Sequence, residues 1–285
     1  MTAAQTGPDY DARIHRARYL ADTHAFAKEV LTFYTRLCEF HPRLYAQLPQ
    51  FFPSTGAATL DPIDAFRAPL KLLPLMQLFP NFLSVLQRSG PQRVSDAARQ
   101  IAQQGPAEWA ALLNAYWGAT TAITPSTSAR DRGPSEQRTE FVLRAFLQPY
   151  AEFLASRCAE PPLVTPPGAC PLCGSRPLLG ILRPEGDGGK RSLLCSLCLH
   201  EWTFRRIFCP ACNEESESKL PVFIAEQFPH IRVEACDTCR FYIRSIDLTK
   251  DGHAVPLIDD LAAIPLTLWA DEHNYSRFCS NLLST

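Results

Sequence analysis

Four Cys-x-x-Cys pairs stand in one stretch of the chain: Cys170/Cys173, Cys195/Cys198, Cys209/Cys212 and Cys236/Cys239. Two thiolates separated by two intervening residues wrap a tight turn around one ion and aim both sulfurs at it. A second such turn, delivered from a neighbouring hairpin, completes a tetrahedron, so eight thiols make two full sites. Cys170 and Cys195 are 25 residues apart and Cys209 and Cys236 are 27 apart. The simplest assembly is therefore two successive ribbon modules, each closed on its own ion. The spacing also admits a crossed assembly, with the first pair joined to the third and the second to the fourth.

Tetra-thiolate coordination suits iron as well as zinc. Iron would make the site redox-active, whereas zinc would only hold the segment folded, and a stretch of about 80 residues with few large apolar groups needs such staples. Catalytic zinc is disfavoured, because four protein ligands leave no position open to water or substrate. Gly174 after Cys173 and Asn213 after Cys212 are residue types that tolerate the left-handed backbone of a knuckle. Leu199 and Arg240, in the equivalent places, give no such support, and Pro171 and Pro210 stiffen two of the turns.

Other residues invite chemistry with less reason. His200 and His230 lie near the pairs, but the thiols already suffice, which leaves both imidazoles a surface or packing role. Cys38, Cys158 and Cys279 sit on apolar helical patterns, where a lone Cys is a small buried hydrophobe, and no Cys/His pair suggests a protease. Asp259 and Asp260 read as helix caps rather than as a paired-carboxylate site. Arg205-Arg206 beside Trp202 reads as a solvated strand end.

The elements that must position the thiols follow from periodicity. Phe26, Val30, Phe33 and Leu37 form an amphipathic stripe within residues 9–48, and Leu143, Leu147, Tyr150 and Leu154 form another that ends near Cys158, with Pro149 as a kink. Asp61 and Pro62 mark a helix start, and Ser95–Gln104 and Pro106–Gly118 are helix-like around Gly105-Pro106. Leu70–Leu86 reads as an interior helix pair broken at its prolines. Thr124–Pro134 is loop in composition, and the four prolines between Ala159 and Gly168 place a boundary there. Beyond it come short β-rich segments: Leu178–Leu182, Arg191–Leu194, Trp202–Phe208, Val222–Ala225, Ile231–Ala235 and Tyr242–Ile246. Asp259–Ala270 returns to a helical pattern containing Pro265. The expected class is α+β, with an all-helical domain over 1–160, a Pro-rich linker over 161–169, tetra-Cys ribbons over 170–205 and 206–250, and a helical tail over 251–285.

Composition bounds the partners. The 285 residues are 46% hydrophobic and 20% charged, as in a folded protein, and carry a formal net charge of −1. Residues 168–250 hold 11 Lys/Arg against 10 Asp/Glu, without the basic stripe expected of the runner-up reading, a zinc-ribbon adaptor on nucleic acid or a transcription complex. A dithiol oxidoreductase would instead need accessible, low-pKa thiols rather than four matched pairs. The first residues show no basic flank or apolar run, so a cytoplasmic chain is expected, and there 11 cysteines point to metal rather than disulfides. Pro74, Pro80, Lys71, Gln77, Asn81 and Ser84 interrupt the most apolar window, which argues against a membrane span.

The words around the cysteines add a resemblance. Cys170-Pro-Leu-Cys-Gly-Ser-Arg-Pro177, Leu194-Cys-Ser-Leu-Cys198 with Glu201-Trp202, Cys209-Pro-Ala-Cys212 and Cys236-Asp-Thr-Cys-Arg-Phe-Tyr242 resemble the formate dehydrogenase accessory protein family, FdhE. Downstream, Pro256, Asp259-Asp260-Leu261-Ala262 and Ala270-x-Glu272-x-x-Tyr275-x-Arg277 look like its C-terminal pattern. The resemblance spans roughly residues 165–281. It implies a helical N-terminal domain, two rubredoxin-like or zinc-ribbon-like modules, the eight cysteines as ligands of two metal ions, and iron ahead of zinc. It also implies a chaperone-like, non-enzymatic maturation factor that binds the catalytic subunit of formate dehydrogenase in the cytoplasm, with a redox step.

Overall fold

A computed structural model describes residues 7–52, 61–120, 134–159, 168–186 and 188–281. Most of the loop expected over 124–134 and of the linker expected over 161–169 lies outside the described residues. Among the described residues seven α-helices come first: α1 (Tyr10–Thr23), α2 (Lys28–Gln47), α3 (Pro62–Arg67), α4 (Leu72–Ser89), α5 (Gln92–Ala102), α6 (Pro106–Thr120) and α7 (Pro134–Arg157). The Asp61 carboxylate accepts the Asp64 backbone N–H at 3.1 Å and so caps α3, as its sequence position requires.

The core of this half is aromatic. Phe40, Phe79, Phe82 and Phe146 pack with ring centroids 4.8–6.5 Å apart and tie α2, α4 and α7 together. Each of these three helices carries an internal proline, Pro42, Pro80 and Pro149. A helical proline deprives the carbonyl four residues earlier of its partner. For Pro149 that carbonyl is Ala145 O, and His41 Nε2, buried in α2, bonds it at 2.9 Å. Burial and the Arg13 charge push the His41 imidazole down to about 3, so the ring is neutral and acts as a fixed donor between helices.

Some expectations shift. The helical element expected within residues 9–48 is split at His24 into α1 and α2, and Phe26, the first residue of its stripe, falls on the connecting turn, 51% exposed. Leu70–Leu86 is not a pair of helices broken at its prolines: α4 runs through Pro80, because Pro74 sits in its first turn and the burial of Phe79, Phe82, Leu83 and Leu86 on one face offsets the single bond lost at Pro80.

The second half is one sheet. Its strands are β1 (Pro177–Glu185), β2 (Gly188–Cys195), β3 (Glu201–Thr203), β4 (Val222–Ile224), β5 (Ile231–Ala235), β6 (Phe241–Asp247) and β7 (Ser276–Arg277). The order is β3-β2-β1-β6-β5-β4, with β7 beside β6. Trp202–Phe208 keeps only β3 as strand, since the chain leaves the ladder after Thr203 to reach the third Cys pair. Neighbours are antiparallel except that β1 runs parallel to β6, Gly180 facing Ser245, and β7 parallel to β6. That β1·β6 contact fuses the two ribbons into one sheet. A Cβ on Gly180 would lie 2.2 Å from Ser245 Oγ, so the close approach requires glycine there.

The tail forms α8 (Pro256–Ala262) and α9 (Ile264–Glu272) rather than one helix: the backbone leaves the helical region at Ala263, and Pro265 then stands in the first turn of α9, where its missing N–H costs no helical bond. It packs on both halves: α8 touches α1, α2, β1 and β6. Asp259 and Asp260 are more than caps. Asp259 does accept the Val255 N–H at 2.8 Å, but it also takes Arg16 of α1 through Nε and Nη2 at 2.5–3.2 Å, and His230 at 2.9 Å. Asp260, fully buried, accepts from Arg244 (2.8 Å), Arg277 (2.6 and 2.7 Å) and Asn281 (3.2 Å). Burial alone would raise the Asp260 carboxyl, but the two guanidinium charges outweigh it and hold it below the usual range. Burial and repulsion from Arg277 bring Arg244 down to about 10.

Two expectations follow for stability. Asp260→Asn leaves two buried guanidinium groups without a counter-charge and should cost about 3–5 kcal/mol in urea unfolding. Because the folded carboxyl is depressed, its contribution is complete above about pH 4 and is lost as pH falls through the folded value; the variant should lack this acid-sensitive component. Gly180→Val should cost about 1–3 kcal/mol by overpacking the β1·β6 contact, and Ser245→Gly in the same chain should recover part of it.

Candidate metal centres

Each hairpin returns the chain to where its first Cys pair lies. Cys170 and Cys173 precede β1 and Cys195 ends β2, with Pro177 opposite Cys195 in the register. Cys209 and Cys212 precede β4, and Cys236 follows β5, where Ala235 N–H bonds Pro221 O and Asp237 N–H bonds Lys219 O. The roughly equal spacings in sequence are thus the lengths of two hairpins.

Four sulfurs gather at each place: Cys170, Cys173, Cys195 and Cys198 in one, Cys209, Cys212, Cys236 and Cys239 in the other, all within 4.8 Å of one another. The pairs group in chain order, not crossed. Sγ···Sγ distances are 3.7 Å (Cys170–Cys198), 3.4 Å (Cys173–Cys195), 3.7 Å (Cys209–Cys239) and 3.6 Å (Cys212–Cys236). A disulfide would need about 2.05 Å. A tetrahedron of thiolates with metal–sulfur bonds of about 2.3 Å has edges of about 3.8 Å, so the observed separations fit one ion in each group.

The knuckles share one backbone design. The N–H of the first Cys bonds the carbonyl five residues on: Ser175, His200, Glu214 and Phe241, at 2.8–2.9 Å. The residue after the second Cys is left-handed in all four, Gly174, Leu199, Asn213 and Arg240, with φ of 77°, 53°, 64° and 60°. The turn geometry therefore overrides residue type at Leu199 and Arg240, where the sequence offered no signal. Backbone N–H groups of Leu197 and Ala211 also point at Cys195 and Cys209 sulfurs, at 3.3 and 3.4 Å.

Electrostatics argue for a cation. In the first group burial pushes Cys195 and Cys198 well up, while Cys173 is held down against its burial by hydrogen bonds from Cys170, Cys195, Cys198 and Ser175. In the second, burial raises Cys209 to about 11 and lifts Cys239 further, while backbone N–H and thiol bonds lower Cys236 against its burial. Four thiolates this close repel, and a divalent or trivalent ion at the centre is what lets all four ionise together.

The two groups differ in access. All four cysteines of the first are buried, whereas Cys212 and Cys239 of the second are partly exposed. The first is further sealed by the helical half: Arg144 of α7 donates to Ser196 O at 2.9 Å and Ser175 Oγ to Thr120 O at 3.3 Å.

Comparison with known proteins places the chain. The model of the FdhE central domain matches residues 169–206 and that of the FdhE C-terminal domain residues 207–284. An FdhE homolog of Aquifex aeolicus is 24% identical over 277 residues, 95% of this chain and 93% of that one. The crystal structure of the FdhE protein from Pseudomonas aeruginosa superposes with a TM-score of 0.67 at 26% identity, over 98% of this chain and 97% of that one. Residues 169–284 thus match two successive FdhE domains, and the chain over its whole length is similar to FdhE proteins. An FdhE homolog of Pseudomonas aeruginosa is 38% identical over 119 residues, 40% of this chain and 38% of the relative. The two matching domain models cover the part of the chain that holds the sulfur groups.

Neither suspected histidine joins a sulfur group. His200 stacks on Trp202, and His230 lies with Asp251 and Asp259 in a third group of possible metal ligands. There the Arg16 guanidinium, 2.7 Å from Asp251 and 2.5 Å from Asp259, already supplies the positive charge. Cys38 and Cys158 stay outside the sulfur groups, and burial raises their thiols to about 11 and about 12, as expected of inert packing cysteines. The long-range partners of Asp259 and Asp260 carried no sequence signal, because Arg16 is 243 residues away from the former.

A chelator challenge followed by sulfur-to-cobalt absorption of the cobalt-loaded protein should show two phases. The faster should vanish in Cys212→Ser and the slower in Cys173→Ser. As pH falls below neutrality, release should accelerate with proton uptake, since every ligand must stay deprotonated to bind.

Proposed function

We propose that this chain is an accessory factor for formate dehydrogenase, not an enzyme, and that it binds that enzyme's catalytic subunit during maturation. The observation that carries the reading is the full-length likeness to FdhE proteins combined with two complete tetra-thiolate groups held in one rigid sheet. All eight cysteines, Cys170, Cys173, Cys195, Cys198, Cys209, Cys212, Cys236 and Cys239, serve as ligands. Four soft thiolates with no open position suit a structural ion or a one-electron iron centre, not a hydrolytic metal.

The asymmetry of the two groups divides their work. The first, sealed against α6 and α7, holds the sheet to the helical half. The second, with Cys212 and Cys239 partly exposed, is where a bound iron would exchange an electron with a partner docked on the surface. Iron is the ion proposed at that position, and zinc would leave both groups purely structural.

The test is complementation in a formate-oxidising host deprived of its own family member. Wild type should restore formate dehydrogenase activity and co-purify with the catalytic subunit. Cys212→Ser should retain the fold and the partner but lose most of the activity, and anaerobically purified wild type should show thiolate-to-iron absorption that bleaches reversibly on reduction. Full activity from Cys212→Ser, or from protein holding zinc alone, would sink the redox step. Wild-type complementation without association with the catalytic subunit would sink the proposed partner.

A further inference from the structure

A cavity of about 380 Å3 opens beside the second sulfur group, with Cys209 and Cys236 in its wall. Its floor is the sheet face that carries Leu182 and Ile243, and its sides include Phe208, Leu220, Val222 and Phe278. Such a volume lies within the roughly 300–1,000 Å3 typical of ligand sites. The surface around it is apolar: Ile207, Val222 and Ile224 are 47%, 52% and 58% exposed. Val222 and Ile224 lie opposite Glu234 and Arg232 in the β4·β5 register, which puts them on the cavity's face of the sheet. β4 is the end strand of that sheet, so its outer edge has no strand beside it among the described residues. Exposed apolar side chains on an open edge are what a protein normally avoids unless something covers them.

The charges specify what covers it. Three guanidinium side chains line the cavity, Arg191, Arg206 and Arg232, against two carboxylates, Glu217 and Glu234. Arg191 pairs with Glu234 at 2.6 Å, and Arg232 pairs with Asp247. Arg205, next in sequence to Arg206, is tied to Glu215 at 2.7 Å. Arg206 itself is exposed and has no ion pair among the described residues. The Nε–H groups of Arg191 and Arg232 are also buried without an acceptor, and burying a guanidinium donor without an acceptor is costly.

We propose that an extended stretch of a partner polypeptide pairs with the open edge of β4 and places one large apolar side chain in this cavity. A neighbouring carboxylate of the same stretch meets the Arg206 side of the wall. The docked segment would lie against Cys209 and Cys236, which brings the partner to the more accessible of the two sulfur groups. This deepens the reading of the chain as a factor that handles a polypeptide client and rests on it. Backbone pairing supplies strength, while the cavity and the Arg206 guanidinium select the sequence.

The experiment uses the full chain with both groups metal-loaded and two sets of immobilised short peptides, one tiling the catalytic subunit of formate dehydrogenase and one of unrelated sequences. Fluorescence anisotropy then gives affinities for the strongest binders. Bound peptides should carry a large apolar residue close to Asp or Glu. Arg206→Glu, at an exposed position, should weaken them about tenfold and gain peptides bearing Lys in place of the acid. Val222→Asp should weaken binding regardless of peptide charge. No binding in either set, or binding unchanged by both substitutions, overturns the docking site. Binders of the expected type found only in the unrelated set would uphold the site and count against formate dehydrogenase as the client; subunit peptides insensitive to both substitutions would do the reverse.

Discussion

The parallel contact between Gly180–Leu182 of β1 and Ser245–Asp247 of β6 is the join on which the second half of the molecule depends. Each hairpin could close its own sulfur group unaided, but only this contact makes two ribbons into one sheet with both groups at fixed positions. It is short, three residue pairs long, and it works because Gly180 lets the strands approach where any Cβ would strike Ser245. Ser245 sits fully buried with its hydroxyl unpartnered, a small polar cost accepted where two backbones must come close.

Around that join the tail works as a clamp. α8 points two consecutive carboxylates in different directions: Asp259 toward Arg16 of the helical half and His230 just before β5, Asp260 toward Arg244 and Arg277 inside the sheet half. Consecutive helical residues point about 100° apart, so adjacent acids can serve two interfaces. Buried ion pairs add little net stability compared with apolar packing, but they are unforgiving of the wrong partner. Their role here is to select one docking arrangement of tail, helices and sheet.

The two sulfur groups are alike in geometry and unlike in surroundings. Local turns dictate the geometry: the same five-residue backbone bond and the same left-handed residue recur in every knuckle. Surroundings come from elsewhere in the chain. α6 and α7 close over the first group, while the second faces a cavity and a sheet edge. A difference in access of this kind separates an ion that stabilises from one that can respond to a partner.

The sequence by itself determined the eight thiols, the helical character of the first half and most of the strands, because metal knuckles and amphipathic stripes are local patterns with fixed spacing. It was misleading where a local rule met a tertiary one. Pro80 did not break α4, since burial on neighbouring helices offsets one lost bond, and Leu199 took a left-handed backbone because the knuckle around it demands one. Which pairs of knuckles closed together, the fusion of two ribbons through β1 and β6, and the real partners of Asp259 and Asp260 were decided only by the tertiary structure. These contacts join residues far apart in the chain, and no spacing rule encodes a contact whose two halves are set by how separate elements pack.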